Sequence, residues 1–306
     1  MRVQRTLTGS SVSFALPHLN ERTTLIVELN ANVDDTSRDI TQLLLRLAEI
    51  HSTDTPRGWQ LRCRSCKYLG PWAAATLYAT FLQAQLRDQR PKISLPVEPD
   101  ALRAYCIFSG MSQAFAKGPP PNPDHPDCET IPLSRFSQAN MNFPDGLVRL
   151  LQRHTDLDSE SEDQLRTCIQ EVIQNVEDHA ASPIGGVMSA RFFATSADVR
   201  VGIVDRGVGI GVKLREKYPD VTDSSVALQR VIEGGYSSRS RINNMGLGVS
   251  NLFALVKSAG GRMAVFTGDA RAEVYPGASP TVVALPFSVP GTAVYFSLPL
   301  SIARTS

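Results

Sequence analysis

The chain has 306 residues, of which 42% are hydrophobic and 20% charged, with 31 basic side chains against 30 acidic ones. That length makes one large or two ordinary domains, each able to bury a real core. The formal net charge of +1 excludes a broad electrostatic surface for nucleic acid or membrane, and the composition excludes a low-complexity chain.

In chain order, Thr24 to Leu29 is β-branched and apolar, as a buried strand is. Ile40, Leu43, Leu44 and Leu47 repeat at helical spacing within 36–50. Trp59 to Cys63 reads as a strand, 72–86 as a helix opened by Pro71, Lys92 to Leu95 as a short strand and Asp100 to Phe108 as a further helix. This alternation predicts a small sheet with helices packed on it. The proline-rich run Gly118 to Pro126 holds neither helix nor central strand, so a linker is placed at 118–137, between domains at 1–117 and 138–306.

Beyond the linker the pattern predicts helices over 144–154 and 160–181, then strands near 186–194 and 198–204. A loop-rich span follows to 245, then a helix over 247–259. The best closing strands are Arg262–Phe266, Val282–Leu285 and Ala293–Leu298. Helices on one face of a mixed sheet is the simplest packing.

Four features carry chemistry. Glu171, Asn175 and His179 recur every four residues and stack on one helix face beside the apolar Cys168, Val172 and Val176; a solvated face gives the same stripe. The strand ending in Asp205 runs into Gly207, Gly209 and Gly211, so a carboxylate able to accept from an amino group stands beside backbone that a flat ring can approach. A tight turn also needs such glycines, and the third glycine of a dinucleotide fingerprint is missing at its offset. Next come Gly234 to Arg239 and then Gly246, Leu247 and Gly248, immediately before a helix. Free N–H groups at a helix start suit phosphate, and Ser237, Ser238 and Arg239 lie in the polar loop before it. Last, Gly291 and Thr292 open a strand.

In that order, Glu-x-x-x-Asn, Asp-x-Gly-x-Gly, Gly-x-Gly before a helix and Gly-Thr before a last strand resemble the GHKL family of ATP-binding domains (gyrase, heat-shock chaperone, histidine kinase, MutL), with the Bergerat fold, over roughly 145–300. The resemblance implies ATP and Mg²⁺ as cofactors. Asn175 holds the metal, and Asp205 binds the adenine amino group. Gly207 and Gly209 shape the adenine wall, helped by Thr292. Gly246, Leu247 and Gly248 meet the phosphates, and 234–245, with Ser237, Ser238 and Arg239, forms the ATP lid. Glu171 stands where the ATPases and the anti-sigma-factor serine kinases carry a carboxylate base, which argues for turnover. His179 matches a histidine common in the anti-sigma kinases and is given no role. His154 lacks the flanking pattern of a phosphoacceptor, so an orthodox sensor kinase is not expected.

The N-terminal order resembles, more weakly, a STAS-like domain, as in anti-sigma-factor antagonists. The antagonists carry an Asp and a phosphorylatable Ser at one turn; here Gly70 and Pro71 stand there. Cys63 and Cys66 form a lone Cys-x-x-Cys on a strand. Neither a second pair at zinc spacing nor a helix start for redox chemistry accompanies it.

The fold expected is therefore α/β, a STAS-like sheet domain followed by a Bergerat sandwich. The function expected is a Mg-ATP-dependent ATPase that couples nucleotide state and lid closure to a regulatory protein partner. An anti-sigma-type serine/threonine kinase and a non-catalytic nucleotide-gated module are the alternatives. Homodimerisation is open; neither nucleic acid nor membrane is expected. With no apolar run near ~20 residues, no apolar leader-like start and an odd five cysteines, the chain is expected to be soluble, reduced and cytoplasmic.

Overall fold

A computed structural model describes residues 2–5, 24–28, 37–51, 58–63, 66, 68–96, 98, 100–118, 120–122, 129–136, 142–233 and 247–300. The N-terminal half contains a four-stranded parallel sheet in the order β1 (Arg2–Arg5), β2 (Thr24–Glu28), β3 (Gly58–Arg62), β4 (Arg90–Ser94). Helices α1 (Ser37–His51) and α2 (Pro71–Leu86) connect its successive strands, and α3 (Asp100–Phe108) and α4 (Met111–Ala116) follow.

The second sheet has five strands, in the order β5 (Thr130–Phe136), β6 (Gly186–Phe193), β7 (Asp198–Asp205), β9 (Thr281–Pro299), β8 (Arg262–Val274). On one face lie its own helices: α5 (Phe143–Gln152), α6 (Ser159–His179), α7 (Ile210–Lys217), α8 (Ser224–Ile232) and α9 (Leu247–Ser258). Their apolar stripes, such as Leu165, Cys168, Ile169, Val172 and Ile173 of α6, close a core against Met188, Val201, Ile203 and Phe296.

Every pairing in this sheet is antiparallel, so the mixed sheet expected from the sequence is not what forms. Helices α7, α8 and α9, which lie between β7 and β8, do return the chain in the original direction, as a crossover does. The last strand then inserts between those two and runs against both. The runs at 282–285 and 293–298 belong to one strand, β9. The span read as loop-rich contains α7 and α8, and β5 lies within the span read as a linker.

The opposite face of the sheet is covered as well. Helix α2 is apolar around its circumference and buried from Pro71 to Leu77, because it packs against β6 and β7 on one side and β4 on the other. Its approach to β7 needs a residue without a side chain: a Cβ on Gly202 would stand 2.5 Å from the Trp72 Cα. A core shared by both halves results, joining Trp59, Leu61, Leu69 and Trp72 to Val187, Val204, Phe266 and Tyr295. Arginines on this face reach across it. Arg200 Nη1 donates to the Tyr68 hydroxyl at 3.1 Å, and Arg271 Nη1 donates to Thr41 Oγ1 at 2.9 Å. The Arg191 guanidinium lies 4.4 Å above the Tyr105 ring. Among the described residues, no helix is long and apolar enough to cross a membrane.

Because Gly202 meets helix backbone rather than a flexible side chain, Gly202→Val should destabilise the protein by about 1–3 kcal/mol or more through overpacking. A lowered urea midpoint at unchanged slope is the expected reading.

Candidate functional site

The site is built where β7 ends. Along this strand, residues 199, 201 and 203 face the helix layer, while Gly202 and Val204 face α2. Asp205 continues the first set, and its side chain lines a cleft of about 650 Å³, open solvent included. Asn175 and Val176 of α6, Gly209, Lys213 of α7 and Thr292 of β9 share that lining. Ile203, Leu214, Val249 and Val294 make the rest of the wall mostly apolar.

The Asp205 carboxylate is 2% exposed. Its Oδ1 accepts from the Gly207 N–H at 2.7 Å, and the Thr292 N–H and hydroxyl also donate to the carboxylate. Burial pushes its pKa from 3.8 up to about 6, while those bonds and the adjacent Arg206 charge pull it down. A buried acceptor at the bottom of an apolar slot suits a flat ring bearing an amino group.

The turn after Asp205 depends on its glycines. A Cβ on Gly207 would fall 1.8 Å from the Ala180 carbonyl oxygen, which accepts from the Val208 N–H at 2.8 Å. Gly209 has φ +78°, and a Cβ there would meet Thr267 Oγ1 at 2.6 Å. That hydroxyl accepts from the Ile210 N–H and donates to the Gly291 carbonyl, each at 3.0 Å, so the turn is fastened to β8 and β9.

Glu171 and Asn175 flank the apolar stripe of α6, where it meets the start of α9. The helix begins at Asp158, whose carboxylate accepts from the Ser161 N–H at 2.8 Å. A Cβ on Gly248 would stand 2.6 Å from the Glu171 Cβ and 3.1 Å from Asn175 Nδ2, so only glycine lets the two helices approach this closely. Asn251, one turn further along α9, donates through Nδ2 to Glu171 Oε2 at 3.1 Å. Glu171 itself is outside the cleft lining, one helical turn from Asn175.

Of the residues singled out in the sequence, Asn175, Asp205, Gly209 and Thr292 thus line one cleft, Gly207 closes its end, and Glu171 and Gly248 meet beside it. Ser237, Ser238, Arg239 and Gly246 lie outside the described residues, as do the side chains of Leu247 and His179. His154 is held away from this cleft, 2.7 Å from Glu129 Oε2 and stacked on Phe192. Cys63 and Cys66 are buried thiols.

Sequence reasoning missed Lys213, Asn251, Thr267 and Arg206. Lys213 lay in a span read as loop, and Asn251 is one turn beyond the glycines on a helix that was foreseen. Neither Thr267 nor Arg206 carries any signal, because their partners are fixed by strand pairing and by a distant helix.

Residues 160–302 match the family model for histidine kinase-, DNA gyrase B- and HSP90-like ATPases. The match begins within α6 and runs beyond β9, so it contains the whole of the cleft. This stretch, a little under half of the chain, is therefore similar to the ATP-binding domains that the model describes. Among curated proteins, none matches the chain.

The raised pKa has a sign that stability measurements can read. Asp205 folds more readily protonated, so its contribution is fullest below pH 3.8 and is lost as pH rises through about 6. A rise of this size is worth about 3 kcal/mol. Comparing melting at pH 4 and pH 7.5, the stability of Asp205→Asn relative to the native protein should improve toward the higher pH by up to that amount.

Proposed function

We propose that the chain binds Mg-ATP in the cleft between α6, α7, β7 and β9, hydrolyses it, and couples nucleotide state to a regulatory protein interaction. The observation that carries this reading is the buried Asp205 carboxylate, oriented by Gly207 and Thr292 at the bottom of an apolar slot, inside the segment that matches the ATPase model.

In this reading Asp205 accepts from the adenine amino group, Thr292 fixes that carboxylate, and Gly207 and Gly209 form the wall against the ring. Gly248, at the start of α9, offers backbone N–H to the phosphates. Residues 234–245, with Ser237, Ser238 and Arg239, close as a lid, and Gly246 and Leu247 meet the phosphates. These last roles rest on the family resemblance alone.

The residues present suit a magnesium ion. Asn175 brings a neutral carboxamide to the cleft wall beside the start of α9, and Mg²⁺ takes one or two protein oxygens together with substrate phosphates and water. Asn175 would hold the ion through its side-chain oxygen, and the ion would there supply charge neutralisation to the phosphates. Glu171 is the base. It takes a proton from water as the water oxygen bonds to the γ-phosphorus and the bridging bond to ADP breaks, with Asn251 orienting the carboxylate. The N-terminal half serves as the STAS-like regulatory half of a cytoplasmic protein.

Purified protein incubated with magnesium and γ-labelled ATP should release free phosphate. Glu171→Ala should keep ATP binding and lose turnover by about 10²–10⁴-fold, the usual worth of a general base. In calorimetry, Asp205→Asn and Asn175→Ala should no longer bind ATP. Tight binding by the Asp205 variant would sink the adenine assignment. Label retained on protein would replace hydrolysis with kinase chemistry, and binding without turnover would leave a nucleotide-gated module.

A further inference from the structure

We propose that Arg206 couples α2 of the N-terminal half to the nucleotide cleft, so that the placement of this helix sets how firmly Asp205 and Thr292 hold a base. The inference rests on the reading of the cleft as an adenine site and adds the element that controls it.

Arg206 follows Asp205 directly, and the alternation of β7 sends its side chain to the opposite face of the sheet, toward α2. It is 3% exposed. Nη2 donates to the Thr76 carbonyl at 3.3 Å and to the Thr80 hydroxyl. That hydroxyl spends its own proton on the Thr76 carbonyl, at 2.8 Å, so it faces Arg206 as an acceptor. Nη1 donates to the Pro290 carbonyl at 3.4 Å. One guanidinium therefore joins a turn of α2 to the segment 290–292.

That segment also forms the floor of the cleft. Between Pro290 and Thr292 stands Gly291, at φ +77°, where a Cβ would lie 2.5 Å from the Asp205 carbonyl oxygen and 2.8 Å from the Arg206 Cα. No slack remains there. Movement of Pro290 is movement of Thr292, whose two bonds hold the Asp205 carboxylate. Arg87, just past the end of α2, repels Arg206, while Lys213 of α7 lines the cleft on the Asp205 side.

Arg206 is a costly way to fasten two layers together. Burial lowers its pKa to about 10 against the favourable charge of Asp205, and Nε is buried with no hydrogen-bond partner among the described residues. An apolar side chain would pack these layers without that burden. A directional fork answers to the exact position of what it grips, which is what coupling needs. Linkage then makes the effect reciprocal: nucleotide that favours the ordered floor stabilises α2 in return.

Thr80 lies outside the cleft and tests this in the full-length protein. Calorimetry with Mg-ATP should find Thr80→Val weakened about tenfold, within the roughly 5- to 150-fold range of coupled sites, and Thr80→Ser restored. Mg-ATP should slow amide exchange across 71–86 in the native protein and fail to do so in Thr80→Val. If Thr80→Val does not fold, Arg206→Lys carries the test, since it keeps the buried charge and loses the fork; the same loss is expected. Native affinity together with native exchange in a folded variant overturns the coupling alone. Failure of the native protein to bind Mg-ATP overturns the adenine reading and the coupling with it.

Discussion

The structure depends on the double burial of β7. Every residue of this strand is inaccessible, because α6 and its neighbours cover one face while α2 covers the other. Such a strand has no solvated side on which to place polar groups. Where it ends, the two-residue alternation still applies, so Asp205 and Arg206 emerge into opposite layers with charges that neither layer can hydrate. Each is then satisfied from protein. The carboxylate takes donors from Gly207 and Thr292, and the guanidinium takes acceptors from Thr76, Thr80 and Pro290. The cleft and its contact with the N-terminal half arise from this single constraint.

Close approach is the second theme, and glycine supplies it. At Gly202 a helix backbone meets a strand, at Gly207 the end of α6 meets the turn, and at Gly248 two helix faces meet. Each contact draws together elements that bear polar groups. Gly248 brings the start of α9 to Glu171 and Asn175, and it is this approach that lets Asn251 reach the Glu171 carboxylate. Part of the polar stripe on α6 is thereby engaged by a neighbouring helix rather than left wholly to solvent.

Much of this was legible in the sequence. Local periodicity gave β2 to α3 in the N-terminal half and α5, α6, β6, β7, α9 and β8 in the other, because apolar spacing is set by the face each element buries; β1, α4, β5, α7 and α8 escaped it. Glu171, Asn175, Asp205 and the glycines after it could be found because they sit at fixed offsets within single elements. Strand partnership is different in kind. Nothing in the run 293–298 says that it inserts between β7 and β8, and that choice turned an expected mixed sheet into an antiparallel one. The short helices α7 and α8 were hidden for a local reason. They are only 8 and 9 residues long, too short for a helical period to stand out, and the signal for α8 is the Asp223 side chain accepting from the Val226 N–H, a cap easily taken for a turn. Arg206 illustrates the limit best. In sequence it is an arbitrary residue between an aspartate and a glycine, and its partners lie 84, 126 and 130 residues away.

The face that α2 covers has a consequence for solubility and for how the chain can be divided. Val187, Val204, Phe266 and Tyr295 are there as deeply buried as any part of the helix-side core. Cut between the halves, the ATPase-like portion would present this apolar surface to water, together with Arg200, Arg206 and Arg271, each having lost its acceptors on the N-terminal half. The fragment containing the whole cleft would thus also carry the surface most open to self-association. The piece that prevents this contributes no residue to the lining of the cleft. Its place in the molecule is that of a cover, joined in one chain to the sheet face that it keeps from water.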